Sequence, residues 1–264
     1  MEVTLKRESK DFHNKDIKYE LSALLDADSF FYGLFDYGDK LVFANEISFI
    51  NELGGESWRD RISLRKTKIG LLNNLVLIIP ESEFQPADIP YILSATCNLP
   101  DISQYIIRSD RIEKHDIRVC YAVPKELVKI MTDTLDGPIL NHYVSAFLHS
   151  ISDTSLDALF IDFSCKSLIV IACKDGRLVF INNYEVEENL NAFYWISLAH
   201  QSIFGEDRFV PIFYSGKLME TSSLRDTLES YYAELKKMIQ PISIDGFSIK
   251  EEVSFYPLHC ISEM

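Results

Sequence analysis

The sequence predicts an α/β chain with mixed sheets, built as two lobes of similar design. Three observations carry this. The hexapeptide Lys40-Leu41-Val42-Phe43-Ala44-Asn45 is matched, half a chain length later, by Arg177-Leu178-Val179-Phe180-Ile181-Asn182. Each copy follows a hairpin turn, Tyr37-Gly38-Asp39-Lys40 in one case and Lys174-Asp175-Gly176-Arg177 in the other. Each turn follows an apolar segment that begins with serine, Ser29 or Ser167, and each copy precedes a helical pattern and then a short apolar run. Three strands, a helix, a strand and a helix, occurring twice, is an element order and not only a matched word.

Residues 1–16 are polar and read as a loose arm, residues 17–152 as the first lobe and 153–264 as the second. In the first lobe, Tyr19–Leu25, Ser29–Asp36 and Leu41–Phe49 form an antiparallel meander, with Gly38 supplying a positive φ at the tight turn. Trp58, Ile62, Ile69 and Leu72 fall near helical spacing, with Arg59, Arg61, Arg65, Lys66 and Lys68 among them. That pattern predicts a helix with a solvated basic face. Leu75–Ile79, closed by Pro80, reads as a fully buried strand. Ala87–Cys97 reads as a helix, and Ile102–Arg108 with Ile117–Val123 as an extended pair. Pro124 opens a helix whose Leu127, Val128, Met131 and Leu135 share one face, and Gly137-Pro138 ends it. Tyr143–Ile151 is a short helix.

In the second lobe, Ala158–Phe163, Ser167–Cys173 and Leu178–Val186 repeat the meander. Leu190–Phe204 is apolar on nearly every side, which predicts a buried helix. Phe209–Tyr214 is a strand. Leu224, Leu228, Tyr231, Leu235 and Met238 mark one long amphipathic helix, with Ser223 placed to cap it and Asp226 three residues on. A short strand near Ile242–Ile244 and a tail close the chain.

Composition narrows the function. Hydrophobic residues make up 47% and charged residues 25%, the balance of a globular protein. The formal net charge of −14 argues against a nucleic-acid binder and against attachment to anionic lipid, since both need basic surface. The five cysteines have no framework spacing, Met1–Lys18 is charged throughout, and no apolar run approaches a membrane span, so a cytoplasmic protein is expected. There is no Walker loop, no nucleophile elbow and no zinc spacing. His142 and His149 stand seven apart and could share a helix face, but a structural histidine is the commoner outcome. Cys165 lies beside Lys166, which would lower its pKa, although an idle thiol is the default.

The element order βββαβα, twice, with its two hairpin-centred segments, resembles the actin-like ATPase superfamily, whose halves have the ribonuclease-H-like fold. More closely, the chain resembles an uncharacterised bacterial family of about this length placed in that superfamily. The resemblance runs from about residue 17 to the end. It implies two ribonuclease-H-like lobes in an actin-like ATPase arrangement, with ATP and Mg²⁺ held between them by the turn joining strands one and two of each half. On this sequence those turns are Asp26-Ala27-Asp28-Ser29 and Asp162-Phe163-Ser164-Cys165-Lys166-Ser167, and the turn toward the adenosine is Tyr214-Ser215-Gly216-Lys217. The resemblance implies that Asp162 organises the metal or its waters and that Asp26 or Asp28 faces it. It also implies that Ser164 and Lys166 meet phosphate and that Gly216 approaches the nucleoside.

The departures are in the glycines. Phe163, Ser164 and Cys165 stand where the superfamily has an Asp-x-Gly pattern, neither phosphate turn contains glycine, and the adenosine turn has one where two are common. Glycine is what lets backbone amides close on a phosphate. Two functions follow. One is an ATP-dependent small-molecule kinase of the acetate- or sugar-kinase kind, or an ATPase. The other is a degenerate member that keeps the fold as an interaction or scaffold module for an unidentified protein partner. The glycine-poor turns favour the second.

Overall fold

The structure, a computed structural model, describes residues 7–8, 12, 17–27, 29–56, 62–99, 101–151, 155–164, 166–186, 189–206, 209–216, 223–238 and 249–264. The chain divides into two compact units. One takes Met1–Ser150 with Leu258–Met264, and the other Ile151–Gln240 with Ser248–Pro257.

The first unit begins with β1 (Arg7–Glu8), β2 (Lys18–Leu25), β3 (Phe30–Phe35) and β4 (Leu41–Ile47). From β2 to β4 the strands run as the expected antiparallel meander, and β1 pairs with β4. The described part of the polar arm is therefore tied down, and the Phe12 ring is buried against Tyr19 and Phe43. The β3–β4 turn uses its residues differently from the expectation. Asp39, not Gly38, takes the positive φ of 55°. The Asp36 carboxylate accepts hydrogen bonds from the Gly38 and Lys40 amides, the local bonding that lets aspartate turns form without glycine.

After a 3-10 helix at Ile50–Gly55 comes β5 (Ser63–Leu71), where a basic helix was expected. Trp58, Arg59 and Arg61 lie outside the described residues. Lys66, Thr67, Lys68, Ile69, Gly70 and Leu71 pair in parallel with β2, and the last four also with β9 (Ile139–His142). Pairing on both edges outweighs a weak helical spacing. The lysines do not share a solvated face. Lys68 is buried, its ammonium 2.9 Å from Glu20 Oε1 and hydrogen-bonded to the Ser262 carbonyl.

Between β5 and β9 the chain builds a separate antiparallel sheet from β6 (Val76–Pro80), β7 (Tyr105–Ile112) and β8 (Ile117–Pro124), in the order β6-β8-β7. It carries α1 (Ile89–Thr96) and α2 (Lys125–Thr134). β6 is half-buried and not the fully buried strand its apolar run suggested, because this small sheet has one face in solvent. α3 (Tyr143–Ser150) follows β9.

The second unit contains β10 (Ala158–Ser164), β11 (Ser167–Lys174), β12 (Arg177–Glu185), α4 (Asn189–Phe204), β13 (Ile212–Ser215), α5 (Leu224–Tyr231) and β14 (Leu235–Lys237). Its sheet order is β12-β11-β10-β13-β14, and that of the first unit is β1-β4-β3-β2-β5-β9. Without β1 the two are the same in order and strand direction: two antiparallel pairings, then two parallel ones. The Asp175-Gly176 turn has both φ values positive, as its dipeptide demands.

Two helices in this unit differ from expectation. α5 stops at Tyr231, and Leu235–Lys237 leaves the helix to pair in parallel with β13. Ser223 stands at its N-cap, but its side chain makes no cap hydrogen bond. α4 is buried on one side only: Ala192, Ile196, Ala199 and Phe204 face a core that includes Leu159, Ile161, Val170, Ile212 and Leu228, and His200 is buried beside them. On the opposite side Leu190, Tyr194 and Leu198 are 71%, 56% and 40% exposed.

The tail forms α6 (Ile249–Ser262), with Pro257 inside it, and the strand expected near Ile242–Ile244 lies outside the described residues. From Leu258 onward α6 belongs to the first unit and lies on its sheet at two glycines. A Cβ at Gly70 would sit 2.7 Å from Ile261 Cδ1, and one at Gly33 would meet Leu258 Cδ1 at 3.0 Å and Leu41 Cδ1 at 2.6 Å. The Lys68–Ser262 contact closes the carbonyl end of the helix with a cation, where the helix dipole favours one. Gly70→Ala should therefore cost about 1–3 kcal/mol by overpacking. Gly54→Ala, where a Cβ meets nothing within 4 Å, should stay within about 0.5 kcal/mol. Urea unfolding of the two variants checks this, and equal costs would refute the close packing of α6.

Candidate functional site

The first expected metal-organising residue sits at the end of the central strand of the second unit. Alternation along β10 sends Leu159, Ile161 and Phe163 into the α4/α5 core and Asp162 to the opposite face. Asp162 and Ser215 are register neighbours in the parallel β10–β13 pair, and Ser164 is two residues along β10 on the same face as Asp162. The carboxylate is thus bracketed by hydroxyls. Ser164 Oγ donates to Oδ1 at 2.8 Å and Ser215 Oγ donates to Oδ2 at 2.6 Å. Asp162 is 1% exposed and both serines are fully buried. A buried carboxylate needs such charge-assisted bonds to be tolerable at all.

Gly216 follows directly. Its φ is +106°, and a Cβ there would lie 2.6 Å from the Phe163 backbone nitrogen and oxygen. The main chain of β10 thus packs against this glycine where any side chain would stand. Lys166 closes the β10–β11 hairpin in the left-handed region, φ +62°, and its carbonyl accepts from the Val186 amide. Its side chain is exposed. Cys165 and Lys217 lie outside the described residues.

In the first unit Asp26 closes the β2–β3 turn. Its Oδ1 accepts from the Ser29 amide at 2.6 Å, its Oδ2 accepts from Ser29 Oγ at 3.2 Å, and its own amide donates to the Ser29 carbonyl. Asp28 lies outside the described residues. Asp162, Ser164 and Gly216 therefore come together, Lys166 stands at the adjoining hairpin, and Asp26 serves its own turn. Among the described residues no group of three or more His, Cys, Asp or Glu side chains is arranged to hold a metal ion. Tested against Mg²⁺ and ATP, the residues do not fit. The carboxylate that would hold the metal waters is buried and hydrogen-bonded to serines through both oxygens.

A family model described as "Protein of unknown function (DUF3822)" matches residues 8–235. The chain belongs to this family. No curated protein matches it. Among solved structures it is similar to a Bacteroides thetaiotaomicron protein with actin-like ATPase fold and unknown function. The TM-score is 0.75 at 12% identity, covering 96% of this chain and 98% of that one. It is also similar to a chain of the PilM–PilN type IV pilus biogenesis complex, with a TM-score of 0.62 at 10% identity, covering 92% and 97%. This DUF3822 member has the actin-like ATPase fold, as its element order implied.

Sequence reasoning missed the other buried polar cluster of this family member. Asp110, on β7, accepts from the His142 amide at 2.8 Å and from Ser145 Oγ at 2.7 Å through Oδ2. The Tyr121 hydroxyl is 3.1 Å from its Oδ1 and 3.2 Å from the Leu140 carbonyl. These bonds fasten the small sheet to the start of α3. His142 is fully buried. Its Nε2 pairs with the Asn73 carbonyl at 3.1 Å and its Nδ1 accepts from the Val144 amide, so the ring is held neutral as the Nε2–H tautomer. His149 is exposed, and the two histidines form no ligand pair. The signal available in the sequence was Asp110 itself, an acidic residue in an otherwise pairing strand.

Burial lowers the His142 pKa to about 4. The unfolded chain's histidine takes up a proton near 6.5, which the folded ring refuses until about pH 4. Stability from this group is intact above pH 6.5 and falls by roughly 3 kcal/mol as the pH drops to 4. Asp110, whose pKa burial raises, pulls the other way, so the readout is the difference between wild type and His142→Gln in urea unfolding at pH 7 and pH 4.5. That difference should shrink toward acid, and a constant difference would refute the assignment. Gly216→Ala should cost about 3 kcal/mol or more, from strain and overlap together, and is checked by the fraction of soluble folded protein and its melting temperature.

Proposed function

We propose that this chain is a protein-interaction or scaffold module that keeps the actin-like ATPase fold without turning over nucleotide. One observation carries the reading: Asp162, at the position where the superfamily organises its metal, is buried with both carboxylate oxygens accepting serine hydroxyls. Displacing those serines to admit a hydrated cation would break two short hydrogen bonds in a site without water access. The likeness to a chain of a pilus biogenesis complex supports the idea that this fold serves as a partner in an assembly. The setting we infer is the cytoplasm, with an unidentified protein as the partner and neither nucleic acid nor membrane. Cys97 and Cys120 are free thiols, and no described helix is long and apolar enough to cross a membrane.

The alternative, an ATP- and Mg²⁺-dependent kinase or ATPase using Asp26, Asp28, Asp162, Ser164, Lys166 and Gly216, makes the opposite forecast in a thermal-shift titration. Saturation of a real site at a hundred times its dissociation constant adds about 2.7 kcal/mol. We expect no shift with millimolar Mg-ATP or Mg-ADP. Asp162→Ala should lower the melting temperature equally with and without nucleotide, because two buried hydroxyls lose their acceptor. A nucleotide-dependent rise that Asp162→Ala abolishes would refute the scaffold reading.

A further inference from the structure

The duplicated hexapeptide forms the outer strand of each meander, β4 in the first unit and β12 in the second. The two strands share an irregularity. β4 pairs with β3 through Leu41 and Phe43 and skips Val42, and β12 pairs with β11 through Leu178 and Phe180 and skips Val179. They differ in what lies beyond. β1 pairs antiparallel with β4, Arg7 opposite Ala44 and Glu8 opposite Phe43. β12 ends its sheet, and among the described residues no strand pairs with its outer side. None of its nine residues is buried. The Val186 amide donates to the Lys166 carbonyl, so alternation turns the main-chain groups of Tyr184, Asn182 and Phe180 toward β11 and those of Ile181 and Asn183 outward. The Asn183 amide is taken by Asn182 Oδ1. The Ile181 amide and carbonyl face outward at the residue equivalent to Ala44. An edge of this kind is a template for another strand. A bulge normally blunts such an edge, but β4 carries the same one and is paired just beyond it.

We propose that the outer edge of β12 binds an extended segment of another protein, which adds antiparallel to β12 with its centre opposite Ile181. The first unit shows what fits. On the same sequence pattern and the same bulge, the seated strand is a cation followed by an anion, Arg7 then Glu8. The charges of β12 require the same order. An antiparallel strand passes Glu185 first, with Glu187 and Glu188 next to it in sequence, and Arg177 last. Its leading half therefore carries lysine or arginine and its trailing half an acidic residue. The chain's own acidity selects the partner as well. At a net charge of −14 a second copy is repelled, and a segment that leads with cations is attracted. Main-chain bonds supply the affinity and the alternate side chains the specificity, as when a peptide adds to a sheet edge. This surface serves the interaction reading above and rests on it. Mg-ATP titration tests that reading and peptide binding tests the edge, so each can fail without the other.

The probe is a fluorescently labelled peptide of the sequence Val3–Lys10, which contains Arg7-Glu8, followed by anisotropy on the full chain. The chain's own β1 holds the β4 edge at the effective concentration of a tethered segment, so the free peptide reads β12. We expect saturable binding with a dissociation constant below about 1 mM. N-methylation of alternate peptide amides in one phase should weaken it by more than about tenfold and in the other phase leave it unchanged, because a strand pairs through every second residue. Glu185→Lys, at an exposed position, should weaken it by more than about tenfold with an unchanged melting temperature. Ile181→Pro, whose missing N–H faces outward, should remove binding. The N-methylated peptides and Glu185→Lys decide the matter even where the proline variant does not fold. No saturable binding, equal loss from both N-methylated phases, or binding indifferent to Glu185→Lys would each overturn the proposal. So would a dimer of the free chain that Ile181→Pro dissociates, which would give the edge to a second copy.

Discussion

The central strands of both sheets are buried on both faces along most of their length, so a polar side chain in the middle of β2, β3, β10 or β11 has no water within reach. A charged group there is tolerated only with a partner inside the protein, whereas the small Ser22 hydroxyl on β2 is buried without one. Glu20 on β2 meets Lys68 on β5, and Lys68 also takes the carbonyl of Ser262. Asp162 on β10 meets Ser164 and Ser215. In each case the parallel neighbour strand supplies a partner on the same face: Ser215 stands directly in register with Asp162, and Lys68 lies two residues beyond Lys66, the register partner of Glu20. The pair Glu20 and Lys68 determines where the last turn of α6 docks, and Gly33 and Gly70 clear the room it needs. The same logic recurs off the central strands, where Asp110 collects the start of α3 and Tyr121.

This constraint alters how a strand-end aspartate should be read. A carboxylate that organises a hydrated metal gains part of its stabilisation from the cation. Here two serines fill that role within the unit, and both lie where strand alternation and register demand. The cost of burying the charge is met by hydrogen bonds that are always present. Nothing about the aspartate alone distinguishes the two situations. The residues two positions along and one strand over do.

Legibility in the sequence followed the range of the interactions involved. The hairpins at Asp39 and Asp175, the meanders and the β7–β8 pair rest on contacts within a few residues, and local patterns expose them. The strand at Ser63–Leu71 was hidden, because its pairing with β2 and β9 is long-range and its lysines suggested solvent. Lys68 is where that inference fails, since a lysine beside a buried glutamate reads the same as one in water. α6 was missed because Pro257 interrupts the helical signal, and what holds it is the pair of glycines in distant strands. At the site, Asp162 and Gly216 were identifiable from position and type. The role of Ser215 was not, because it exists only through the β10–β13 register.

The hairpin at Lys166 carries the same argument to the turn itself. The turn contains no glycine, and it closes with a lysine in the left-handed region, φ +62°. A side chain in that region costs about 1–2 kcal/mol relative to glycine. The turn keeps its shape because the hairpin needs it: Ser164 and Ser167 pair across it, and the Lys166 carbonyl takes the Val186 amide. A phosphate cradle needs the shape and also the bare amides that only glycine leaves open. In this turn, which has no glycine, the force holding the left-handed residue is the sheet. The hairpin therefore keeps its place through strand pairing that no ligand has to complete.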